Sequence, residues 1–122
     1  MTPAPGRPTL GIVGGGQLAK MLAQAAAQLG CEVAILERQP DAPARGLARH
    51  EFIGDWDDPA HLLRLAQASD VITLENEFVD AEALAAVERH GHLIHPGAGT
   101  LKIVQDKLWQ KQAVTDEGIP VA

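Results

Sequence analysis

The sequence predicts an α/β fold: an open parallel sheet of about five strands in the order 3-2-1-4-5, with helices on both faces and a linker helix at the end. Three observations carry this. Short apolar runs alternate with stretches of helical period. The runs TLGIV, EVAILE and DVITLE are nearly continuous in apolar residues, as befits strands buried on both faces. A glycine cluster directly follows the first run and opens into a helical pattern.

The elements follow in order. Residues 9–13 form the first strand, and residues 16–29 a helix whose expected apolar face is Leu18, Met21, Leu22, Ala25 and Leu29, stopped by Gly30. Residues 32–37 are the second strand, followed by the Pro-broken connection RQPDAPARGLARH and a weaker third strand over 51–54. Asp58 and Pro59 suit the N-cap and first position of a helix over 59–68, which carries Leu62, Leu63, Leu65 and Ala66. Residues 70–75 are the fourth strand, and Asp80 caps a helix over 81–89 with Ala81, Leu84, Ala85 and Val87. HLIH (92–95) is expected to be a short fifth strand, ended by Pro96-Gly97, and 99–117 a final helix with Leu101, Val104, Leu108 and Val114, closed by Gly118. Three regions result: a disordered tail over 1–8, a compact domain over 9–98, and a helix with linker over 99–122.

The 122 residues suffice for one domain with its own core, and 46% hydrophobic with 21% charged residues is a soluble globular balance. A net charge of −6 with no Lys/Arg-rich run argues against nucleic acid and anionic membranes as partners. A single cysteine, Cys31, fits a reducing cytosol and reads as a packing residue. The start lacks the apolar core of a signal peptide, and no run approaches the ~20 apolar residues that span a bilayer. The expected location is cytoplasmic.

With strand order reversing between strands 1 and 4, a ligand crevice is expected outside their carboxyl ends. The loop Gly14–Leu18 and the segment from Glu75 must face each other there, so Gln17 and Glu75 should share one side of the molecule. Gly14, Gly16 and Ala19 fit G-x-G-x-x-A, the Rossmann-like turn in which glycines allow close backbone approach and the helix N-terminus holds an anion. Glu37 lies 23 residues after Gly14, about where a dinucleotide fold places its ribose-binding acid. On these residues alone a nicotinamide or flavin dinucleotide and another phosphate ligand both remain open. Glu75 and Glu77 at the end of the fourth strand pull away from the dinucleotide, because carboxylates suit ribose hydroxyls or an amine rather than phosphates. The polar helix QDKLWQKQ also reads as a bridge to further structure.

Together, GIVGGGQLAKMLAQAAAQLG, GDWDDPAHL, TLENEFV and QDKLWQKQAVTDEGIPVA resemble the N-terminal domain of the N5-carboxyaminoimidazole ribonucleotide synthetases of the ATP-grasp superfamily, from about Thr9 to Ala122. The resemblance implies an ATP-dependent ligase of purine biosynthesis. ATP and bicarbonate give carboxyphosphate, and the amine of aminoimidazole ribonucleotide takes up the carboxyl group, leaving ADP and phosphate. It further implies that Gly15, Gly16, Gln17 and Leu18 cradle the phosphoribosyl part and that Glu75 and Glu77 bind its ribose or amine side. Lys107 would sit near the ATP phosphates, with ATP and Mg²⁺ held mostly by later subdomains. Ala19-Lys20 stands where many relatives have Gly-Arg, and Glu75-Asn76-Glu77-Phe78 exchanges the polar and aromatic neighbours of the usual E-F-E-N. Without the ATP-clamping subdomains, no carboxylation is expected from these 122 residues alone.

Other constellations imply little chemistry. His90, His92 and His95 do not converge by strand alternation, and Asp58 among the acids at 55–58 is explained by capping, so no metal site is expected. No catalytic residue is assigned. A non-catalytic regulatory or interaction module is the further alternative, with a homodimer formed through apolar residues near Leu108 and Trp109.

Overall fold

The computed structural model describes residues 6–122, so residues 1–5 of the expected tail lie outside the described residues. The order of elements is β1 (Thr9–Val13), α1 (Gln17–Gln28), β2 (Glu32–Glu37), β3 (His50–Ile53), α2 (Pro59–Gln67), β4 (Val71–Leu74), α3 (Ala81–Arg89), α4 (Ala98–Gln105) and α5 (Lys107–Asp116). All sheet pairings are parallel, in the order β3-β2-β1-β4. The expected α/β architecture and central strand order are therefore present, with four strands rather than five.

The fifth strand is reduced to one parallel bridge, Ile72 to Ile94, beside β4 where that strand was expected. Ile72 N–H donates to Leu93 O at 2.9 Å and His95 N–H to Ile72 O at 2.8 Å. Pro96 comes next and has no N–H to extend the ladder.

Strand alternation divides the core. Val13, Leu36 and Ile72 face α2, α3 and α4, packing with Leu62, Leu65, Leu84, Val87 and Leu101. Ile12, Val33 and Ile35 face α1 together with Ala44. The buried face of α1 is Ala19, Ala23 and Ala26, not the expected leucine face. Leu18, Met21 and Leu29 are 58%, 55% and 82% exposed, and only Leu22 of the large residues packs against that cluster. Small side chains let the helix lie close to the sheet immediately after a tight glycine turn, and that spacing keeps Leu18, Met21 and Leu29 out of the contact.

Caps terminate the helices as their sequences require. Asp58 accepts from Ala60 N–H at 2.9 Å and Asp80 from Glu82 N–H at 3.1 Å. At the C-terminus of α1, Gly30 takes φ +79° while Gly30 N–H and Cys31 N–H return to Ala27 O and Ala26 O. Gly118, with φ +77°, closes α5 in the same way through Thr115 O and Val114 O.

The expected helix over 99–117 is two helices. Asp106 has φ −110° and ψ 114°, outside the helical region, and its carboxylate accepts from Leu108 and Trp109 N–H at 2.9 and 3.2 Å. It thus ends α4 and caps α5. Because α5 buries no residue, this cap is a large share of what holds it. Asp106→Ala is expected to destabilise α5 by about 1 kcal/mol. Faster amide hydrogen exchange over 107–116, with the sheet amides unchanged, is the check.

Candidate functional site

Register fixes the geometry of the crevice. Val13, the last residue of β1, pairs with Leu36 on one side and Leu74 on the other. Glu37 and Glu75 each follow those partners, so both stand level with Gly14, one on either side of it. With neighbouring strands ~4.8 Å apart, their Cα atoms are separated by about 10 Å.

Gly14 has φ +109°, a conformation that side-chain-bearing residues rarely adopt, and a Cβ there would stand 3.0 Å from the Glu75 Cβ. A Cβ on Gly15 would meet the Glu37 Cβ at 3.0 Å and Ala42 at 3.4 Å, and one on Gly16 would overlap the Glu75 carboxylate. The first three positions of the turn are thus shaped by the two acids flanking them.

The N-terminus of α1 has no cap from its own N-cap residue, Gly16. Glu75 supplies it from across the crevice, its Oε2 accepting from Gly16 N–H at 2.5 Å and from Ala19 N–H at 3.3 Å. A carboxylate is stabilised there by the unpaired amides and the positive end of the helix dipole. Among the described residues, Gln17 and Leu18 N–H donate to no protein acceptor. The expected meeting of Gln17 and Glu75 on one side of the molecule is present.

The two acids of TLENEF separate. Glu75 is half-buried on the glycine turn, whereas Glu77 is exposed. Both line a hollow of about 160 Å³ with Leu74, Pro96, Leu101 and Val104. Glu77 also borders an adjoining groove of about 660 Å³ lined by Phe78, Gln105 and Lys107. Lys107 therefore opens on the same end of the sheet as the acids but does not reach the glycine turn's own contacts.

Glu37 is only 9% exposed, and its Oε2 has no hydrogen-bond partner among the described residues. Its carboxyl is held above the usual carboxylate range, chiefly by burial; the Arg38 N–H opposes this, and the charge of Glu75 reinforces it. A group whose folded pKa exceeds its unfolded value adds stability only at low pH, and that contribution is lost as pH rises through the folded value. Glu37→Gln is therefore expected to raise the melting temperature at pH 7. The gain should shrink as pH falls below the ordinary value of 4.5, which thermal melts at the two pH values check.

Two supports had not been assigned from the sequence. Gln105 Nε2 donates to Glu77 O at 2.7 Å and Val79 O at 2.5 Å, fixing the acidic loop to α4. The signal was present in Q-D-K, where only the lysine had drawn a role. Ala44 N–H donates to Gly15 O at 2.9 Å, and Ala44 is fully buried, so the irregular connection after β2 closes over the turn. Beside it, Arg38 binds Asp55 at 2.8 Å and Asp57 at 3.0 Å with its guanidinium 4.3 Å from the Trp56 ring centroid. Asp57 in turn accepts from Asp80 N–H at 2.9 Å, joining the loop before α2 to the start of α3.

Residues 8–105 match the family described as the ribonucleotide synthetase preATP-grasp domain. The N5-carboxyaminoimidazole ribonucleotide synthase of Brucella melitensis is 44% identical over 114 residues, covering 93% of this chain and 31% of that protein. The crystal structure of N5-carboxyaminoimidazole ribonucleotide synthetase from Thermotoga maritima superposes with a TM-score of 0.86 at 37% identity, over 93% of this chain and 32% of that one. An Aspergillus clavatus N5-carboxyaminoimidazole synthase, solved with ADP and 5-aminoimidazole ribonucleotide, gives a TM-score of 0.86 at 32% identity, over 95% of this chain and 31% of that one. The chain spans between 20% and 31% of the length of the curated relatives it matches.

Proposed function

The chain belongs to the ribonucleotide synthetase preATP-grasp domain family, and on that premise we propose that it is the acceptor-holding domain of an ATP-dependent ligase of purine biosynthesis. The reaction is carboxylation of the amine of aminoimidazole ribonucleotide by bicarbonate, with ATP converted to ADP and phosphate. The observation that carries the reading is the carboxylate of Glu75 seated on the amides of Gly16 and Ala19.

That contact gives each residue a task. Glu75 is held by α1 with its lone pairs directed into the notch, where it accepts hydrogens from the ribose or amine side of the acceptor. Gly15 and Gly16 let the ligand approach backbone closely, and the N–H groups of Gln17 and Leu18 are left to bind its phosphoribosyl oxygens. Glu77 is the second acid, at the rim. Lys107 is the one residue proposed to approach ATP. Among the described residues no three metal-liganding side chains stand together, so Mg²⁺ and the phosphoryl chemistry are assigned to the remainder of a longer polypeptide. The 122 residues alone are then inactive in carboxylation.

The dinucleotide alternative is disfavoured by the same contact. A pyrophosphate needs the head of α1 as a whole, and Glu75 already holds the N–H groups of Gly16 and Ala19, leaving only those of Gln17 and Leu18. Calorimetric titration of the full-length polypeptide with aminoimidazole ribonucleotide tests the proposal. Saturable heat and ATP hydrolysis stimulated by that compound are expected; absence of both, with NADH bound instead, overturns it.

A further inference from the structure

Glu37 has no part in that function so far, yet it is the described acid placed most awkwardly. It lies at the carboxyl end of a central strand, 9% exposed, with Oε2 lacking any partner among the described residues. A buried, unsatisfied carboxylate oxygen is costly and is normally removed or paired. Its surroundings correct this only in part, through the backbone N–H groups of Arg38 and Gly15, which leave Oε2 unpaired. Arg38, the next residue, turns its guanidinium away to Asp55 and Asp57. The group on the far side of Gly14 is another acid, Glu75, whose own carboxylate is already held by the α1 amides. The side-chain stem of Glu37 lies against Gly15, where even a methyl group would crowd it.

We propose that Glu37 is a second ligand-reading carboxylate of the notch, and that its unpartnered Oε2 accepts a hydrogen from a sugar hydroxyl of the ligand bound at the glycine turn. The inference rests on the acceptor-holding reading above. A hydroxyl suits the site better than a phosphate, because a carboxylate repels an anion and a hydroxyl supplies the missing donor. The separation also fits. The two acids flank Gly14 on neighbouring strands, with Cα atoms about 10 Å apart, so a ligand seated on the glycine turn lies between them. Glu37 then restricts which sugars enter, because a deoxy analogue would leave the same buried oxygen unpaired.

The test uses the full-length polypeptide, wild type and Glu37→Met, titrated with aminoimidazole ribonucleotide and with its 2′-deoxy and 3′-deoxy analogues. Thermal melts confirm that both proteins are folded. The wild type is expected to bind the ribonucleotide at least about tenfold more tightly than one of the deoxy analogues. Glu37→Met, which has no acceptor oxygen, should bind the ribonucleotide about tenfold or more weakly and lose most of that discrimination, with Glu37→Gln, which keeps one, intermediate. Wild-type binding with unchanged affinity and discrimination in Glu37→Met overturns the role of Glu37 and leaves the acceptor-holding reading standing. An equal loss of affinity for all three ligands overturns the hydroxyl assignment. Failure of the wild type to bind the ribonucleotide defeats the underlying reading and this inference with it.

Discussion

Glu75→Gln is expected to lower kcat/KM for aminoimidazole ribonucleotide by about a hundredfold in the full-length polypeptide, while the fold survives nearly unchanged. The two effects separate because the side chain has two tasks. As the cap of α1 it needs only an acceptor oxygen on Gly16 and Ala19 N–H, and an amide carbonyl supplies one. The lost charge at the helix terminus costs at most about 1 kcal/mol, a few degrees in Tm. As a ligand contact it needs its other oxygen, Oε1, as an acceptor, and the amide puts a donor there, directed at the ligand's own donors. Steady-state kinetics with the ribonucleotide varied, alongside a thermal melt, reads both. A kcat/KM within about threefold of wild type would remove Glu75 from the binding site.

The largest stability effect is expected at Ile72→Ala. Ile72 is 1% exposed at the centre of β4, in the cluster shared with Leu62, Leu84 and Val87. A Cβ on Gly11 of the adjacent strand would come within 3.3 Å of its Cγ1, so backbone and side chain are already in close packing there. Removing the outer carbons leaves a cavity that neither strand can collapse to fill, at a cost of about 2–5 kcal/mol. The melting temperature should fall by roughly 10 °C or more. Because Ile72 precedes Glu75 by three residues on the same strand end, the variant should also bind the ribonucleotide more weakly when still folded. A fall of less than about 1 kcal/mol in chemical denaturation would mean that the site repacks.

Much of this domain can be read from the chain itself, for physical reasons that differ by element. The central strands β1 and β2 are almost wholly buried and β4 partly so, so they appear as uninterrupted apolar runs, and each of TLGIV, EVAIL and DVITL leads at once into a glycine or glutamate. That repetition places Gly14, Glu37 and Glu75 at one level before any coordinates are known. The face of α1 is harder, because the helix carries both a leucine–methionine stripe and an alanine stripe. Periodicity favours the larger residues, whereas the short distance to the sheet selects the smaller. Asp106 looks like one more charged residue in a polar helix, and only its own backbone angles reveal a break. HLIH reads as a strand because local pattern cannot show that Pro96 stops the pairing after one bridge. The burial of Glu37 is invisible locally, since the chain around Ala42 and Ala44 that crowds Gly15 has no regular period.

Gln105 makes the acidic loop and α4 mechanically a single piece. Both hydrogens of its amide are committed, to the carbonyls on either side of Phe78. Sliding that helix by even an ångström must therefore either drag the loop along or break two bonds worth about 1 kcal/mol each. The rim of the notch is reined to the last buried turn of the molecule, and a force applied at α4 is felt at Glu77.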